Sequence, residues 1–221
     1  MKVIAHIHTD FPSKFGIPRQ SRLADTIGLI VFEKEYQNID ALKGIEDFSH
    51  IWLLWEFSEA KDKPWSPTVR PPRLGGNKRM GVFATRSPYR PNPIGLSCVK
   101  LLGVENTENG IALKVSGADL MNGTPIYDIK PYLAFTDSIP DAKGGFADER
   151  TGDFLEVFCP EELKQKFPEE KLEALISVLS QDPRPHYIED GDRIFGFSFA
   201  GYEIKFKVLN GCAYVTDIII L

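Results

Sequence analysis

Short runs of alternating apolar and polar residues recur through the first half of the chain. Residues 1–8 place Val3, Ala5 and Ile7 on one face, which is the two-residue period of a strand. Gly- and Pro-containing turns separate the runs, and no strand–helix alternation is visible. The pattern predicts an all-β sheet that closes on itself as a single barrel. The other predicted strands cover residues 26–32, 49–57, 79–85, 94–104 and 111–116.

The pattern changes near residue 140. Residues 168–181 begin with Pro168 and carry apolar positions at helical spacing, which predicts one helix. Residues 193–221 predict a three-stranded meander that turns at 200–201 and at Asn210-Gly211. The chain therefore divides into a β-barrel domain over residues 1–140 and a small α+β domain over residues 141–221.

Aromatic and histidine residues in the barrel strands have two interpretations each. Trp52 and Trp55 lie in a nearly all-apolar run, so we expect core positions rather than stacking platforms for bases. His6 and His8 share the polar face of the first strand and have the spacing of a ligand pair. No third ligand is evident, so we expect exposed strand histidines and no metal.

Composition and motifs exclude several classes of protein. The 221 residues are 43% apolar, without the roughly 18-residue apolar run that a membrane helix needs and without a secretory leader pattern. Cys98, Cys159 and Cys212 are far apart and form no CxxC pair, as expected in a reducing cytoplasm. There is no GxGxxG after a strand, no GxSxG and no HExxH.

Positive charge is concentrated in one segment of an acidic chain. The net charge is −5, yet residues 63–104 hold eight Lys or Arg and no acid, so the remainder sums to −13. The same segment is rich in Pro and Gly, which stiffen the backbone and permit close approach to a ligand. Arginines on such a backbone suit bidentate recognition of phosphate or carboxylate, although a solvated basic loop is the alternative.

Several long motifs resemble the TsaA-like family, also called TrmO. They are KFGIPRQS (14–21), LKGIEDFSHIWLLWEF (42–57), PTVRPPRLGGNKRMGVFATRSPYRPNPIGLS (67–97), GADLMNGTPIYDIKPYL (117–133) and QDPRPHY (181–187). The resemblance implies a β-barrel, S-adenosylmethionine-dependent tRNA methyltransferase that forms a homodimer with cofactor sites near the interface. It implies that the acceptor is N6 of threonylcarbamoyladenosine at tRNA position 37, beside the anticodon.

The same resemblance implies a cofactor pocket. Arg19 is expected to meet the methionine carboxylate, and Gln20 a polar edge of the cofactor. Family members have DxxDGTP where this chain has Asn122 in place of the second Asp, which favours Asp119 and Asp128 for any role that needs a carboxylate. A turn at Asn122-Gly123 that leads into a short strand is the structural alternative. The expected cofactor-binding residues are Pro18, Arg19, Gln20, Ser58, Glu59, Arg86, Leu96, Asp119, Leu120, Met121 and Asn122.

The catalytic and tRNA-binding candidates follow from charge and position. We expect Arg86 to be aimed by a rigid turn after a strand, although it could instead tie down that turn through backbone carbonyls. The catalytic candidates are Arg86, Asp119, Asp128 and Tyr127, and the tRNA-binding candidates are Arg70, Arg73, Lys78, Arg79, Arg90 and Lys130. Two other functions stay open: a methyltransferase of this barrel type with another acceptor, and a cofactor- or RNA-binding module without turnover.

Overall fold

The computed structural model describes residues 1–71, 74, 78–150, 154–184 and 191–221. Arg73 and the end of the QDPRPHY motif lie outside the described residues. The strands are β1 (Ala5–Thr9), β2 (Ile27–Phe32), β3 (His50–Glu56), β4 (Thr68–Val69), β5 (Met80–Gly81), β6 (Ile94–Thr107), β7 (Gly110–Ser116), β8 (Thr124–Pro131), β9 (Glu156–Phe158), β10 (Phe195–Phe199), β11 (Tyr202–Leu209) and β12 (Cys212–Ile220). The helices are α1 (Ala134–Asp137), α2 (Glu161–Lys164) and α3 (Glu169–Ser180).

Six strands form a closed barrel in the order β1-β2-β7-β6-β3-β8. The interior is apolar because alternate residues of each strand point inward; on β3 these are Ile51, Leu53 and Trp55, all buried. His6 and His8 point to the outer face of β1, and His6 Nδ1 lies 2.7 Å from Glu33 Oε1. The chain is mainly β, as the sequence pattern predicts.

Two of the expectations for the barrel are wrong. Residues 79–85 form the two-residue strand β5 and the 3₁₀ turn Val82–Ala84 rather than a barrel strand. The sixth barrel strand is β8, which follows the Asn122-Gly123 turn. Trp52 is not a core residue: it lies half-buried on the outer face of β3, where Nε1 donates to Asp137 Oδ2 at 2.9 Å.

The C-terminal part is a β-rich four-stranded sheet in the order β10-β11-β12-β9, with β9 parallel to β12. The predicted meander and the predicted helix are both present. Ala200-Gly201 and Asn210-Gly211 all have positive φ, from 51° to 83°, as tight hairpin turns require. The buried residues Leu175, Val178 and Leu179 of α3 pack in the core beneath this sheet.

The C-terminal core also takes residues from the barrel domain. Phe11 is 0% exposed and its ring centroid lies 5.1 Å from that of Phe199. Phe15, Ile17 and Ala24 belong to the same cluster. We call residues 10–24, which connect β1 toward β2, the anchored segment. Its position in space is therefore set by burial in the C-terminal core.

Candidate active site

A cavity of about 540 Å³ opens where the end of β3 and the start of β6 meet the anchored segment. We call it the first cavity. Its volume is in the range of small-molecule sites. Nine of the expected cofactor-binding residues line it, namely Pro18, Arg19, Gln20, Ser58, Glu59, Arg86, Leu96, Asp119 and Met121.

A chain of hydrogen bonds crosses the floor of the first cavity. Trp55 Nε1 donates to Ser97 Oγ at 3.0 Å, and Ser97 Oγ donates to Asp119 Oδ1 at 2.5 Å. The register of β3 and β6 pairs Trp55 with Gly95. A Cβ at Gly95 would lie 2.2 Å from the Trp55 ring, so only glycine leaves room for the indole. The backbone of β6 therefore fixes the orientation of Asp119.

Asp119 is a carboxyl group with opposing influences on its charge. Burial raises its pKa above the ordinary value, whereas the Ser97 hydroxyl, backbone N–H groups including that of Ser21, and the Arg86 charge lower it. Burial is the largest of these effects. A ligand that brought hydrogen-bond donors or positive charge to Asp119 would therefore favour the carboxylate form of Asp119 and bind to it more tightly.

Arg86 and Arg90 have different partners although both are in the Pro-rich turn. Arg86 Nη1 donates to Gln20 Oε1, which joins the turn to the anchored segment. Arg90 Nη1 donates to the carbonyl oxygens of Val82 and Thr85, at 3.2 and 2.7 Å. Arg90 therefore ties down the turn, the structural role that was the alternative for Arg86.

The sequence pattern gave no role to Glu56, which also lines the first cavity. Its side chain is only 11% exposed, and Lys61 Nζ lies 3.5 Å from its Oε2. Burial and a hydrogen bond to Glu56 raise the pKa of Tyr127 to about 12, so the phenol is protonated at neutral pH. An acid at the end of the otherwise apolar run SHIWLLWEF was the available signal for this residue.

Arg19 links the first cavity to the C-terminal domain. Its guanidinium donates to the carbonyl oxygens of Asp182 and Arg184, at 3.4 and 3.5 Å. Asp182 follows the end of α3 with φ of 49°, and its carboxylate accepts from Arg184 Nε at 2.9 Å. The carboxylate contact expected of Arg19 stays a prediction; the carbonyl contacts show what holds its side chain near the cavity.

Four residues expected near the cofactor or the reaction lie outside the lining of the first cavity: Leu120, Asn122, Tyr127 and Asp128. Leu120 is 1% exposed in the barrel core. Asn122 Oδ1 accepts from the backbone N–H of Thr9 at 3.2 Å, a bond that an aspartate could also accept. Asp128 accepts from Ile129 N at 2.9 Å, and its other oxygen lies 2.9 Å from Lys130 Nζ.

A second cavity of about 1360 Å³ adjoins the first and shares Arg19, Gln20 and Arg86 with it. Arg70 and Arg79 line it, and Arg79 Nη1 donates to Thr68 Oγ1 at 3.0 Å. Lys78 is exposed in the segment before β5. Lys130, at the end of β8, lines neither cavity. Three of the six expected cations, Arg70, Arg79 and Arg90, thus line the two adjoining cavities.

No helix in the described residues is long and apolar enough to cross a membrane. The same part of the chain contains no group of three or more His, Cys, Asp or Glu that could hold a metal ion. The side chains of the first cavity instead suit a small organic ligand with both polar and apolar parts. Fold and site together define a β-barrel protein with a cavity suited to such a ligand, beside a second cavity lined by arginines.

Comparison with known proteins identifies the family. Residues 6–138 match the tRNA-methyltransferase O N-terminal domain, and residues 155–220 match the TrmO C-terminal domain. A tRNA (adenine(37)-N6)-methyltransferase of Escherichia coli is 44% identical over 217 residues, covering 94% of this chain and 92% of the relative. One of Eikenella corrodens is 44% identical, covering 76% and 95%.

Solved structures agree with the sequence comparisons. A crystal structure of TrmO from P. aeruginosa superposes with a TM-score of 0.81 at 33% identity, covering 100% of this chain and 97% of that one. This chain belongs to the tRNA-methyltransferase O family.

Proposed function

We propose that this protein transfers a methyl group from S-adenosylmethionine to N6 of adenine 37 in a tRNA, and that this adenine carries the threonylcarbamoyl group. Relatives named tRNA (adenine(37)-N6)-methyltransferase support the reaction. One structural observation carries the assignment of the site. The partly buried carboxyl of Asp119 is held by Ser97 and lines, together with Arg86, a cavity of about 540 Å³.

S-adenosylmethionine, when bound, supplies an electrophilic methyl group on a sulfonium. The tasks of the protein are to align this methyl group with the acceptor nitrogen and to exclude water. Trp55 and Phe57, with ring centroids 4.3 Å apart, contribute apolar surface at the first cavity. We propose that the Asp119 carboxylate accepts hydrogen bonds from ribose hydroxyls or an amine of the donor. The acceptor N–H lies between a purine and a carbonyl and is therefore unusually acidic, which eases loss of its proton.

Of the four catalytic candidates, we retain Arg86 and Asp119, because both line the first cavity. Tyr127 holds its proton up to about pH 12 through burial and Glu56, so we propose that it orients Glu56 rather than accepting a proton. Asp128 pairs with Lys130 outside the cavity, at 2.9 Å. We expect both variants Tyr127→Phe and Asp128→Asn to retain more activity than Asp119→Asn.

The cations at residues 70–79 are proposed to bind the tRNA backbone. Arg70 and Arg79 line the second cavity and Lys78 is exposed between them in sequence, which supports contacts with phosphates. An anticodon loop presents its bases largely unpaired, so a base can reach the mouth without the opening of a duplex. Arg90, already engaged with two carbonyls, would contribute mainly through the shape of the turn.

We also propose a cytoplasmic homodimer of two-domain chains that divide near residue 140. Family resemblance supports the dimer, and a tRNA substrate supports the location. The family models end at residue 138 and resume at residue 155, which supports the division. Light scattering at micromolar concentration should give twice the 24.9 kDa mass of one chain; a monomer mass would contradict the dimer.

The experiment is methyl transfer in vitro with isotope-labelled S-adenosylmethionine, in chelator, followed by mass spectrometry of the tRNA nucleosides. The paired substrates are one tRNA species with and without the threonylcarbamoyl group. Label should appear in the modified adenosine and be absent from the unmodified tRNA. Equal labelling of both tRNAs would favour another acceptor, and cofactor binding without labelling would favour a binding module. A strict requirement for a divalent ion would contradict the proposed chemistry.

A further inference from the structure

The two adjoining cavities differ in charge. Three carboxylates, of Glu56, Glu59 and Asp119, line the first cavity together with its cations. Among the described residues that line the second cavity there is no Asp or Glu, while five arginines line it: Arg19, Arg22, Arg70, Arg79 and Arg86. A site with arginines and no carboxylate favours an anionic ligand. The first cavity, with both signs of charge, suits a ligand that carries both signs.

Arg22 is the arginine whose environment within the second cavity is best defined. Its φ is 66°, uncommon for a residue with a side chain, and its backbone N–H donates to Gly117 O at 2.8 Å. A Cβ at Gly117 would lie 3.1 Å from the Arg22 Cα, so glycine permits this close approach. The barrel strands that flank residue 117 therefore hold the Arg22 backbone in place.

Arg22 and Cys98 both line the second cavity. The positive charge of Arg22 lowers the pKa of the Cys98 thiol, which opposes the effect of burial. The same charge lowers the pKa of His50, in the same direction as burial. The Arg22 side chain is exposed, and within the described part of the chain it has no ion-pair partner. Its charge is therefore available to a ligand in this cavity.

Aromatic side chains of the second cavity supply surface for a planar ligand. Trp52 lies on the outer face of β3, and its indole is fixed by the bond to Asp137 and by Tyr132, whose ring centroid is 5.7 Å away. Phe83 and Tyr89, which are 73% and 42% exposed, also line the cavity. Aromatic faces of this kind stack on bases that are not paired.

We propose that the second cavity binds the acceptor nucleoside, and that Arg22 determines specificity by pairing with a carboxylate on the base. This rests on the proposed function, since it assigns the acceptor side of the same site. Arg86 and Leu96 line both cavities, so a base in the second cavity can present its substituted nitrogen to a methyl group in the first. Arg22 thereby distinguishes an adenine with an anionic substituent from an unmodified adenine.

The test measures binding rather than turnover. Free N6-threonylcarbamoyladenosine, which has no phosphate, is titrated into the full chain in the presence of S-adenosylhomocysteine and followed by calorimetry. The comparison ligand is the same nucleoside with its carboxylate converted to an amide. A charge-assisted pair predicts about ten- to a hundredfold weaker binding of the amide by the native protein.

The variants are Arg22→Gln and Arg22→Lys, because all three side chains meet the same backbone strain at this φ. Arg22→Gln should bind the acid and the amide about equally, and Arg22→Lys should restore part of the difference. Arg193→Ala is the matched control: Arg193 is exposed and stacks on Phe195 in the C-terminal sheet, with 5.4 Å to the ring centroid. It should keep the full difference between the two ligands.

Three outcomes would overturn the proposal. The first is undiminished preference for the acid in Arg22→Gln with an unchanged melting temperature. The second is equal binding of acid and amide by the native protein. The third is inorganic phosphate displacing the nucleoside at similar concentration, which would assign the site to phosphate. The nucleoside titration measures binding and needs no methyl transfer. A failure of the proposed function would instead appear in the methyl-transfer assay, as the absence of labelled nucleoside from tRNA that carries the threonylcarbamoyl group.

Discussion

The first cavity has two opposite walls that are held in place by different forces. One wall is the anchored segment, residues 10–24, which contributes Lys14, Ile17, Pro18, Arg19 and Gln20. Phe11 is fully buried in the C-terminal core, and Lys171 Nζ lies 2.5 Å from Asp10 Oδ1. Gly16, with φ of 97°, lies so close to Phe197 that a Cβ would be 2.4 Å from its ring. Contacts distant in sequence therefore set the position of this wall.

The other wall is the basic segment, residues 63–93, which contributes Lys63, Thr85, Arg86, Pro88, Tyr89 and Arg90. Its regular structure among the described residues is β4, β5 and the 3₁₀ turn at 82–84. The contacts that hold its turn are local, such as Arg90 to the Val82 and Thr85 carbonyls. Local bonds and prolines thus set the position of this wall.

The difference shows what the C-terminal domain contributes to the site. No described residue of the domain lines the first cavity, yet its core fixes the wall that carries Pro18–Gln20. The Arg86–Gln20 hydrogen bond joins this buried wall to the exposed one. Substitutions in one wall should therefore have effects on activity and stability that differ from those of substitutions in the other wall. Loss of the Arg86–Gln20 hydrogen bond should lower activity most.

The largest effect is expected from breaking the bond between the walls. Arg86→Ala should lower methyl transfer about a hundred- to thousandfold, because it removes the Gln20 contact and the positive charge beside Asp119. Arg86→Lys should not restore activity, since an ammonium lacks the planar fork of a guanidinium. Turnover and melting temperature are measured on both variants, with Arg90→Lys as the matched substitution within the same turn.

The two arginines should fail in different ways. Arg90→Lys should lower the melting temperature and activity together, because Arg90 holds backbone carbonyls. Arg86→Ala should lose activity with little loss of thermal stability. Near-normal turnover in Arg86→Lys would contradict the requirement for a guanidinium at this position.

The second effect is expected from loosening the anchored wall alone. Phe11→Ala removes a fully buried ring and should lower the free energy of unfolding by about 3–5 kcal/mol. Because the same segment carries Arg19 and Gln20, KM for S-adenosylmethionine should rise more than kcat falls. Denaturant unfolding and steady-state kinetics measure the two quantities below the new melting temperature.

Phe135→Ala is the matched control, since Phe135 is 88% exposed and its truncation should cost almost nothing. An unchanged KM in Phe11→Ala, despite the loss of stability, would show that the wall does not depend on the C-terminal core.

The third effect concerns the carboxyl between the walls. Burial raises the pKa of Asp119 in the folded protein, so folding favours its protonated form. Its contribution to stability is therefore fully present below the ordinary Asp pKa and is lost as the pH rises through the raised value. Asp119→Asn should remove this loss, so the melting temperature of the native protein should fall relative to the variant as the pH rises from about 4.

Cofactor affinity should show the opposite trend with pH. If the donor binds the Asp119 carboxylate, its affinity for the native protein increases as the pH rises through the raised pKa, whereas Asp119→Asn shows no such rise. Calorimetric titration across pH 4–8 measures both. Parallel affinity profiles for the native protein and the variant would exclude Asp119 as the group that contacts the donor.

Most strands and the long helix could be predicted from the sequence, whereas the contacts between distant segments could be predicted only in part. The nearly all-apolar run at residues 49–57 predicts β3, and the helix and the meander of the C-terminal part follow from short-range periodicity and turn residues. The strand expected at 79–85 is wrong because Met80 and Gly81 pair only with the two-residue strand β4, and the chain then turns at 82–84, where Thr85 N donates to Val82 O. The anchoring of Phe11 depends on a partner almost 190 residues away, which no local pattern contains.

The site residues show the same division. Pro18, Arg19, Gln20 and Arg86 come together as the motifs suggested. Leu120 and Asn122 do not, because the Leu120 side chain is buried in the barrel core and the Asn122 amide oxygen accepts from the backbone N–H of Thr9. Glu56 escaped notice because its role depends on the cross-strand neighbour Tyr127, which only the β3–β8 pairing reveals.

The smallest effect is expected from removing one positive charge from the basic segment. Lys78 is exposed in the basic segment, and no described contact orients it toward either cavity. Lys78→Ala should weaken tRNA binding modestly and lower the slope of log affinity against log salt by about one unit, because one phosphate contact releases about one counterion. S-adenosylmethionine affinity should stay unchanged.

Lys34→Ala is the control, because Lys34 is also exposed and lines neither cavity, and it should leave the slope as in the native protein. Filter binding of one tRNA from about 50 to 200 mM salt measures the slope. A loss of cofactor affinity in Lys78→Ala with an unchanged slope would show that this cation serves the first cavity instead of the tRNA.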